Sequence, residues 1–402
     1  MNIYKNDEKG LEPMQESPNY EIAHILNIIS IPWVYCVISI VSGACYFYIY
    51  IFSMVWLVFI RYSITEDFIA IAVSISLTTC SVTCFTKLFF MMLHVSHIRE
   101  TVQKFLAFDA QIAPGTRFAI NLRKNLRVVK KRALVIWIFL VANALIYLLI
   151  PLLRPGRHTA EAYFIPYGLE PVLESPNYEI IFILTTTGVS FCVYIMVNVA
   201  VYVIVIVGYN EAQLYALSEE IKILWVDSQN FYNEIKHKIH NKIHAISLKE
   251  KIVNDYIQKR LNTIVYCHVT NIHLFRELNN EFSDTLAVEY SIMTVAIISE
   301  LLGGLENTYR QVPYTVVQIF MDCLSGQRLI DACHEFENAI YSCEWENFNA
   351  SNQKTVLLML LLSQKTMMLS AGGMANLNFS CLMMILKSSY SAYTTLKSSI
   401  QS

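Results

Sequence analysis

The chain has 402 residues and a formal net charge of −2, and 55% of its residues are hydrophobic while only 15% are charged. Soluble domains carry roughly 25% charged residues. The composition therefore argues against a soluble protein and for one that has lipid as part of its solvent. No basic run is interleaved with aromatic residues, so the sequence does not support nucleic acid as a partner.

Four segments are apolar over a length that crosses a bilayer, which takes about 20 helical residues. They are 33–60, 68–93, 133–153 and 180–208, and Lys87 is the only charged residue within them. Three less apolar segments complete a predicted set of seven spans: 285–305, 312–333 and 374–396. The sequence therefore predicts an all-α, polytopic membrane protein with seven transmembrane helices.

The loops between the predicted spans differ in basic charge. Nine lysines and arginines fall in 94–132 and nine in 209–284, whereas 61–67 holds one, 154–179 two and 306–311 one. Lysine and arginine accumulate on the cytoplasmic side of membrane proteins. We therefore predict a cytoplasmic N-terminus, 1–32, and, after seven spans, an extracellular C-terminus.

Helical patterns continue beyond the apolar segments. In 209–284, hydrophobic residues recur at the spacing of amphipathic helices: Leu214, Leu217, Ile221, Leu224, Ile235, Ile239, Ile243 and Ile246. We interpret 33–333 as transmembrane helices one to six, with 209–284 as a cytoplasmic helical anchor region. A cytoplasmic anchor helix in 334–365 is predicted to precede the last span and the C-terminus, 366–402.

Candidate metal and catalytic groups are few. His237, His240 and His244 share one helical face, but without a cysteine or carboxylate partner a solvated basic face is the better interpretation. No nucleophile elbow, phosphate-binding loop or zinc-protease motif is present in the sequence. We therefore expect no enzyme activity, no metal and no cofactor.

Charged residues inside the predicted spans are costly in lipid. Glu289, Glu300, Asp322 and Arg328 all fall in the fifth and sixth spans. We favour pairing inside the bundle, or placement near helix ends, over a direct role in an ion pathway. The second half of the last span is rich in serine and threonine, which suits either a water-lined pore or close helix packing.

The C-terminal stretch resembles the signature of insect odorant receptors, and the resemblance covers roughly 35–400. The matching elements are Tyr341 followed by Trp345, the triplet Ser363-Gln364-Lys365, Ala371-Gly372, Phe379, and the block Ser389-Tyr390-Ser391. The chain departs from the family before the first span, where members usually carry a Gly-x-Trp-Pro-like element and this sequence has IISIPWVY. There, segment 11–26 is repeated at 169–184 with 12 of 16 positions identical.

The resemblance implies the ligand-binding subunit of a heteromeric, odorant-gated cation channel, built as a tetramer with the odorant-receptor co-receptor. It also implies the plasma membrane of olfactory sensory neurons, a pore lined by the last span, and a small, volatile, apolar ligand. A gustatory-type receptor shares this architecture and stays open as an alternative. A G-protein-coupled receptor would need the opposite orientation, and no inverted repeat of spans supports a transporter.

The expected pocket draws on the extracellular ends of spans two, three, four and six. Its candidate residues are Phe68, Ile71, Ala72, Ile146, Tyr147, Ile150, Phe182, Thr186, Phe191, Tyr314 and Gln318. In the last span, the spacing i, i+4 and i+7 places three residues on one helical face. We predict that this face lines the pore: Ser389, Tyr393 and Leu396.

Overall fold

The computed structural model describes residues 33–62, 67–153, 155–159, 163–236 and 245–401. The first copy of the repeated segment and the three histidines at 237, 240 and 244 lie outside these residues. Within the described ranges, no three metal-ligating side chains come together.

The first two long helices contain the first two predicted spans. Helix α1 covers 33–61 and is α-helical over Trp33–Tyr46 and Ser53–Trp56 but π-helical over Phe47–Phe52 and Leu57–Arg61. Helix α2 is Phe68–Leu93, and the Asp67 side chain caps it by accepting a hydrogen bond of 3.1 Å from the Ala70 amide. Helix α3, Val95–Ala110, follows at once.

Two helices extend well beyond their apolar segments on the same side of the bundle. Helix α4 is Arg117–Leu153 and starts before its apolar part, whereas α5 is Asn177–Lys222 and ends after its own. With 37 and 46 residues, they are roughly 55 and 69 Å long, more than the roughly 30 Å of a bilayer core. We call the side on which they project the basic end of the bundle.

The next two helices lengthen this projection. Helix α6 is Leu224–Ile235, and α7 is Ala245–Leu302, which at 58 residues is the longest described helix. Arg117 joins α4 to its neighbours, because its guanidinium donates to Glu220 at 2.9 Å and to Asp227 at 2.7 Å. Glu220 also pairs with Arg260 of α7, so four helices share one ionic network.

The C-terminal part contains the last two long helices. Helix α8 is Leu305–Thr308 and α9 is Val312–Tyr341; a 3₁₀ turn, Trp345–Asn347, and helix α10, Ala350–Ser363, follow. Strands β1, Ser370–Ala371, and β2, Ala375–Asn376, form an antiparallel ribbon. Helix α11 is Phe379–Gln401.

The ribbon accounts for one difference from the predicted spans. The last span was predicted to start at 374, but α11 starts at Phe379 because the preceding residues pair as strands. Gly372 and Gly373 make the turn with φ values of 58° and 69°, a conformation that glycine adopts without steric cost.

Seven long helices match the seven predicted spans. In the described part of the chain, α1, α2, α4, α5 and α7 are long and apolar enough to cross a membrane. Helices α9 and α11, with 30 and 23 residues, are long enough but carry more polar groups. The all-α, polytopic membrane fold and the long helical extensions are confirmed.

One ion pair lies deep in the bundle. Lys87 Nζ of α2 is 2.6 Å from Glu289 Oε1 of α7, with side chains 4% and 2% exposed. Asp322 of α9 lines the same small cavity of about 20 Å³, and its Oδ2 atom has no hydrogen-bond partner among the described residues. Of the two placements expected for these charged residues, Glu289 thus adopts pairing inside the bundle.

Candidate ligand-binding site

A cavity of about 110 Å³ lies at the end of the bundle opposite the basic end, between α1, α2, α4, α5 and α9. Four tyrosines from three of these helices form part of its wall: Tyr46, Tyr50, Tyr147 and Tyr314. We call it the tyrosine cavity. The remaining wall is mostly apolar, with Leu77, Ala144, Val189 and Val193, and Arg310 is its one charged lining residue.

Close packing of α1 on α5 places the first two tyrosines. A Cβ atom on Gly188 would lie 3.2 Å from both the Tyr46 backbone and the Tyr50 ring, so the glycine permits this approach. The Tyr46 hydroxyl donates to the Ser81 carbonyl of α2, and its ring lies 5.7 Å from that of Phe191. Tyr50 belongs to the π-helical stretch, a feature common at functional sites.

A second, smaller cavity of about 20 Å³ adjoins the tyrosine cavity and shares Tyr50, Leu77 and Tyr147 with it. Residues after α4 close it: His158, Thr159 and Phe164. The Phe164 ring stacks on Tyr50 at 6.3 Å with 7° between the ring planes. We call the two neighbouring cavities together the compartment; the smaller one lies beside the connection between α4 and α5.

Polar groups in the tyrosine cavity are few and sit mainly near α9. Gln311 bonds to Ser76, while Cys80 Sγ lies 3.6 Å from the Thr315 hydroxyl, which donates to Glu300 at 2.6 Å. The Tyr314 hydroxyl is buried and has no partner among the residues that the structure describes. A ligand with one hydrogen-bonding group would satisfy it, because a buried hydroxyl left unpaired costs free energy.

Four of the eleven predicted pocket residues line this compartment. Tyr147 lines both cavities, Phe182 and Thr186 line the smaller one, and Tyr314 lines the tyrosine cavity. Phe191 does not line either cavity, but its ring contacts the ring of Tyr46, which does. The structure thus brings predicted residues from spans three, four and six to one place.

The other six predicted residues do not line either cavity. Phe68 and Ile146 point away from the core, with 40% and 56% of their surface exposed. Ala72 and Gln318 are buried in the helix packing, at 3% and 2% exposure. Ile71 packs on the core and Ile150 is half-buried, both outside the cavity walls.

The sequence-based prediction missed the contribution of α1 and of the segment after α4. Tyr46 and Tyr50 are spaced i, i+4, which places them on one helical face, and this pattern was a usable signal. His158, Thr159 and Phe164 lie outside regular helices. No periodicity in the sequence could have directed their side chains to the site.

The predicted pore residues of α11 have different environments. Ser389 is fully buried within the chain, at 0% exposure, whereas Leu396 is 45% exposed. Tyr393 accepts a hydrogen bond of 3.0 Å from Lys397 Nζ, and that ammonium also lies 5.5 Å from the Tyr393 ring centre. Ser389 therefore does not reach the surface on which an intersubunit pore would form, and the pore proposal rests on the other two residues.

The fold and the cavity together define a class: a polytopic, all-helical membrane protein with an aromatic, nearly uncharged compartment between its helices. The sequence model of the 7tm odorant receptor family matches residues 67–390. Since this match covers most of the chain, the chain belongs to that family.

Curated relatives share shorter stretches. Odorant receptor 85f of Drosophila melanogaster is 23% identical over 152 residues, which are 36% of this chain and 39% of that protein. Putative odorant receptor 85d of the same organism is 24% identical over 143 residues, 34% of each protein. The chain thus spans less than half the length of these relatives.

Solved structures of the insect olfactory receptor OR5 from Machilis hrabei share the fold. The structure in complex with eugenol has a TM-score of 0.68 and 13% sequence identity, and the alignment covers 94% of this chain and 97% of that one. A second structure of the same receptor has a TM-score of 0.66 and 12% identity, covering 90% and 87%. At these identities, the likeness concerns the fold.

Proposed function

We propose that this chain is the odorant-binding subunit of an odorant-gated cation channel that it forms with the odorant-receptor co-receptor. The observation that carries this proposal is the tyrosine cavity, a largely apolar site between five helices with one charged lining residue, in a chain from the odorant receptor family. It would act in the plasma membrane of olfactory sensory neurons. A relative by fold has been solved with eugenol, a small aromatic molecule.

The ligand is proposed to be small, volatile and largely apolar, with one group that accepts or donates a hydrogen bond. Apolar and aromatic walls with a few placed polar groups are typical of small-molecule sites. Tyr314 would bond to the ligand's polar group through its buried hydroxyl. Tyr147 would pack against the apolar part, since it lines both cavities.

The function is tested by recording odorant-evoked current in cells that have no chemoreceptors of their own. The chain, the co-receptor, or both are expressed, and a panel of volatile compounds is applied. We expect current for some compounds only when both proteins are present and surface expression of each is verified. No response to any compound with both proteins at the surface, or the same responses from the co-receptor alone, would contradict the proposal.

Replacing Tyr147 with alanine is expected to raise the half-maximal concentration for activating odorants by about 5- to 150-fold, because about 1–3 kcal/mol of apolar contact is lost. Ile146→Ala is the matched control, since Ile146 is the next residue of α4 but points away from the core. Concentration–response curves measure both variants. If both variants shift the half-maximal concentration equally, or only Ile146→Ala shifts it, Tyr147 does not contact the odorant.

The proposed orientation has the N-terminus in the cytoplasm and the C-terminus outside. It rests on the nine basic residues in each of 94–132 and 209–284 against one or two in the other loops. An epitope tag placed before Met1 should bind antibody only after permeabilisation, and a tag after Ser402 should bind it on intact cells. The reverse pattern would overturn the orientation and favour a G-protein-coupled receptor.

The proposed pore is lined by α11 where the subunits meet. With cysteine introduced singly, a thiol reagent should block odorant-evoked current at Tyr393 and Leu396, which are accessible on the isolated chain. It should not block at Ser389, which is buried. The unsubstituted chain, tested with the same reagent, controls for its own cysteines. Block at position 389 with none at 393 and 396 would refute this pore face.

A further inference from the structure

A groove of about 510 Å³ lies on the surface of the bundle where the apolar part of α4 meets its basic part. Helix α5 forms the floor, and α4 and α9 form the two walls. Six exposed or half-buried residues shape the opening: Val128, Lys131, Val135, Phe320, Leu324 and Arg328. We call this site the basic groove.

The charges that line the basic groove do not balance. Arg132 Nη2 lies 2.5 Å from Glu211 Oε2, with side chains 14% and 8% exposed, so these two groups neutralise each other. Lys131 and Arg328 also line the groove, and neither forms an ion pair within the described part of the chain. Three cations against one carboxylate leave a net charge of +2 on the lining.

The other part of the groove is apolar and open. Val135 of α4 is 58% exposed, and Phe320 of α9 is 38% exposed. Helix α4 lies at the edge of the bundle, since only 17% of its most apolar stretch is buried. An exposed apolar surface on a membrane-spanning helix faces acyl chains. The groove therefore opens to lipid at one end and presents two free cations at the other.

We propose that the basic groove binds one anionic phospholipid, with its phosphate between Lys131 and Arg328 and an acyl chain along Val135 and Phe320. Basic pockets between transmembrane helices bind anionic headgroups in this way. Arginine offers paired donors to phosphate oxygens, and lysine adds a point charge. The assignment to the cytoplasmic leaflet rests on the proposed orientation, whereas the binding itself does not.

The site is tested by native mass spectrometry of the detergent-solubilised chain during titration with phosphatidylserine, phosphatidylcholine or inorganic phosphate. Phosphatidylserine should bind most tightly, because it has a net negative charge and acyl chains. The double variant K131Q/R328Q should bind it roughly 25-fold more weakly, at roughly fivefold for each cation removed. The matched control, K124Q/R127Q, removes two exposed cations of α4 that do not line the groove, and should bind like the unsubstituted chain.

Four outcomes would overturn the proposal. Unchanged phosphatidylserine affinity in K131Q/R328Q would show that these cations do not hold the headgroup. Equal loss in K124Q/R127Q would reduce the effect to overall charge. Equal affinity for phosphatidylcholine would show that the negative charge of the headgroup is not recognised. Equal affinity for inorganic phosphate would show that the acyl chain does not contribute to binding. Odorant responses play no part in this readout, so its failure is distinct from failure of the proposed receptor function.

Discussion

Replacing Lys87 with methionine is expected to destabilise the folded chain by about 3–5 kcal/mol, because it leaves Glu289 with an uncompensated charge deep in the bundle. The two side chains are 4% and 2% exposed and 2.6 Å apart. Asp322 lines the same cavity, so removal of the one ammonium leaves two buried carboxyl groups together. Thermal unfolding of the detergent-purified chain measures the loss of stability. Surface expression of the variant in cells is measured as well.

Two further variants test whether burial of the Lys87–Glu289 ion pair causes this destabilisation. Lys104→Met removes a lysine whose Nζ is 2.9 Å from Glu277 but whose side chain is 42% exposed, and it should change the unfolding temperature little. Adding Glu289→Gln to Lys87→Met should recover part of the loss, since it removes the unpaired charge. Equal destabilisation by Lys104→Met, or no recovery in the double variant, would show that burial of this ion pair is not the cause.

The substitution Gly326→Ala is expected to push α9 away from the segment that leads into α11. A Cβ atom at this position would lie 2.0 Å from the carbonyl oxygen of Leu377, which is backbone and itself fully buried. Overpacking of this kind costs about 1–3 kcal/mol or more. We expect a lower unfolding temperature and, because α11 carries the proposed pore face, a reduced odorant-evoked current.

Gly43→Ala is the matched control for this prediction. Its added Cβ would lie 3.4 Å from the Phe191 ring, an ordinary contact with a side chain rather than with backbone. It should leave both the unfolding temperature and the current near those of the unsubstituted chain. If the two alanine variants behave alike, the close approach at Gly326 does not matter for stability.

Composition and hydrophobic pattern were enough to predict the membrane-spanning helices but not all of their limits. The four most apolar segments lie within α1, α2, α4 and α5, because a lipid-exposed chain that crosses the bilayer must satisfy its backbone hydrogen bonds internally. The start of α11 was misplaced, since Gly372 and Gly373 form a turn between paired strands. Pairing between short strands depends on tertiary contacts that the local sequence does not reveal.

The site was only partly predictable, because a span's position in the bundle decides which of its faces points inward. Ile146 and Tyr147 are neighbours, roughly 100° apart around α4, yet one faces outward and the other lines the cavity. Both were equally good candidates by residue type. Helix α4 lies at the edge of the bundle, and that fact follows from packing, not from its apolar sequence.

The central claim is that an odorant binds inside this chain, in the tyrosine cavity. The most direct measurement is an electron cryomicroscopy structure of the chain with the co-receptor, in the presence and absence of an activating odorant. We expect ligand density between Tyr147 and Tyr314 that is missing without odorant. Odorant density found only in the co-receptor subunits, or elsewhere in this chain with the tyrosine cavity unchanged, would contradict the account.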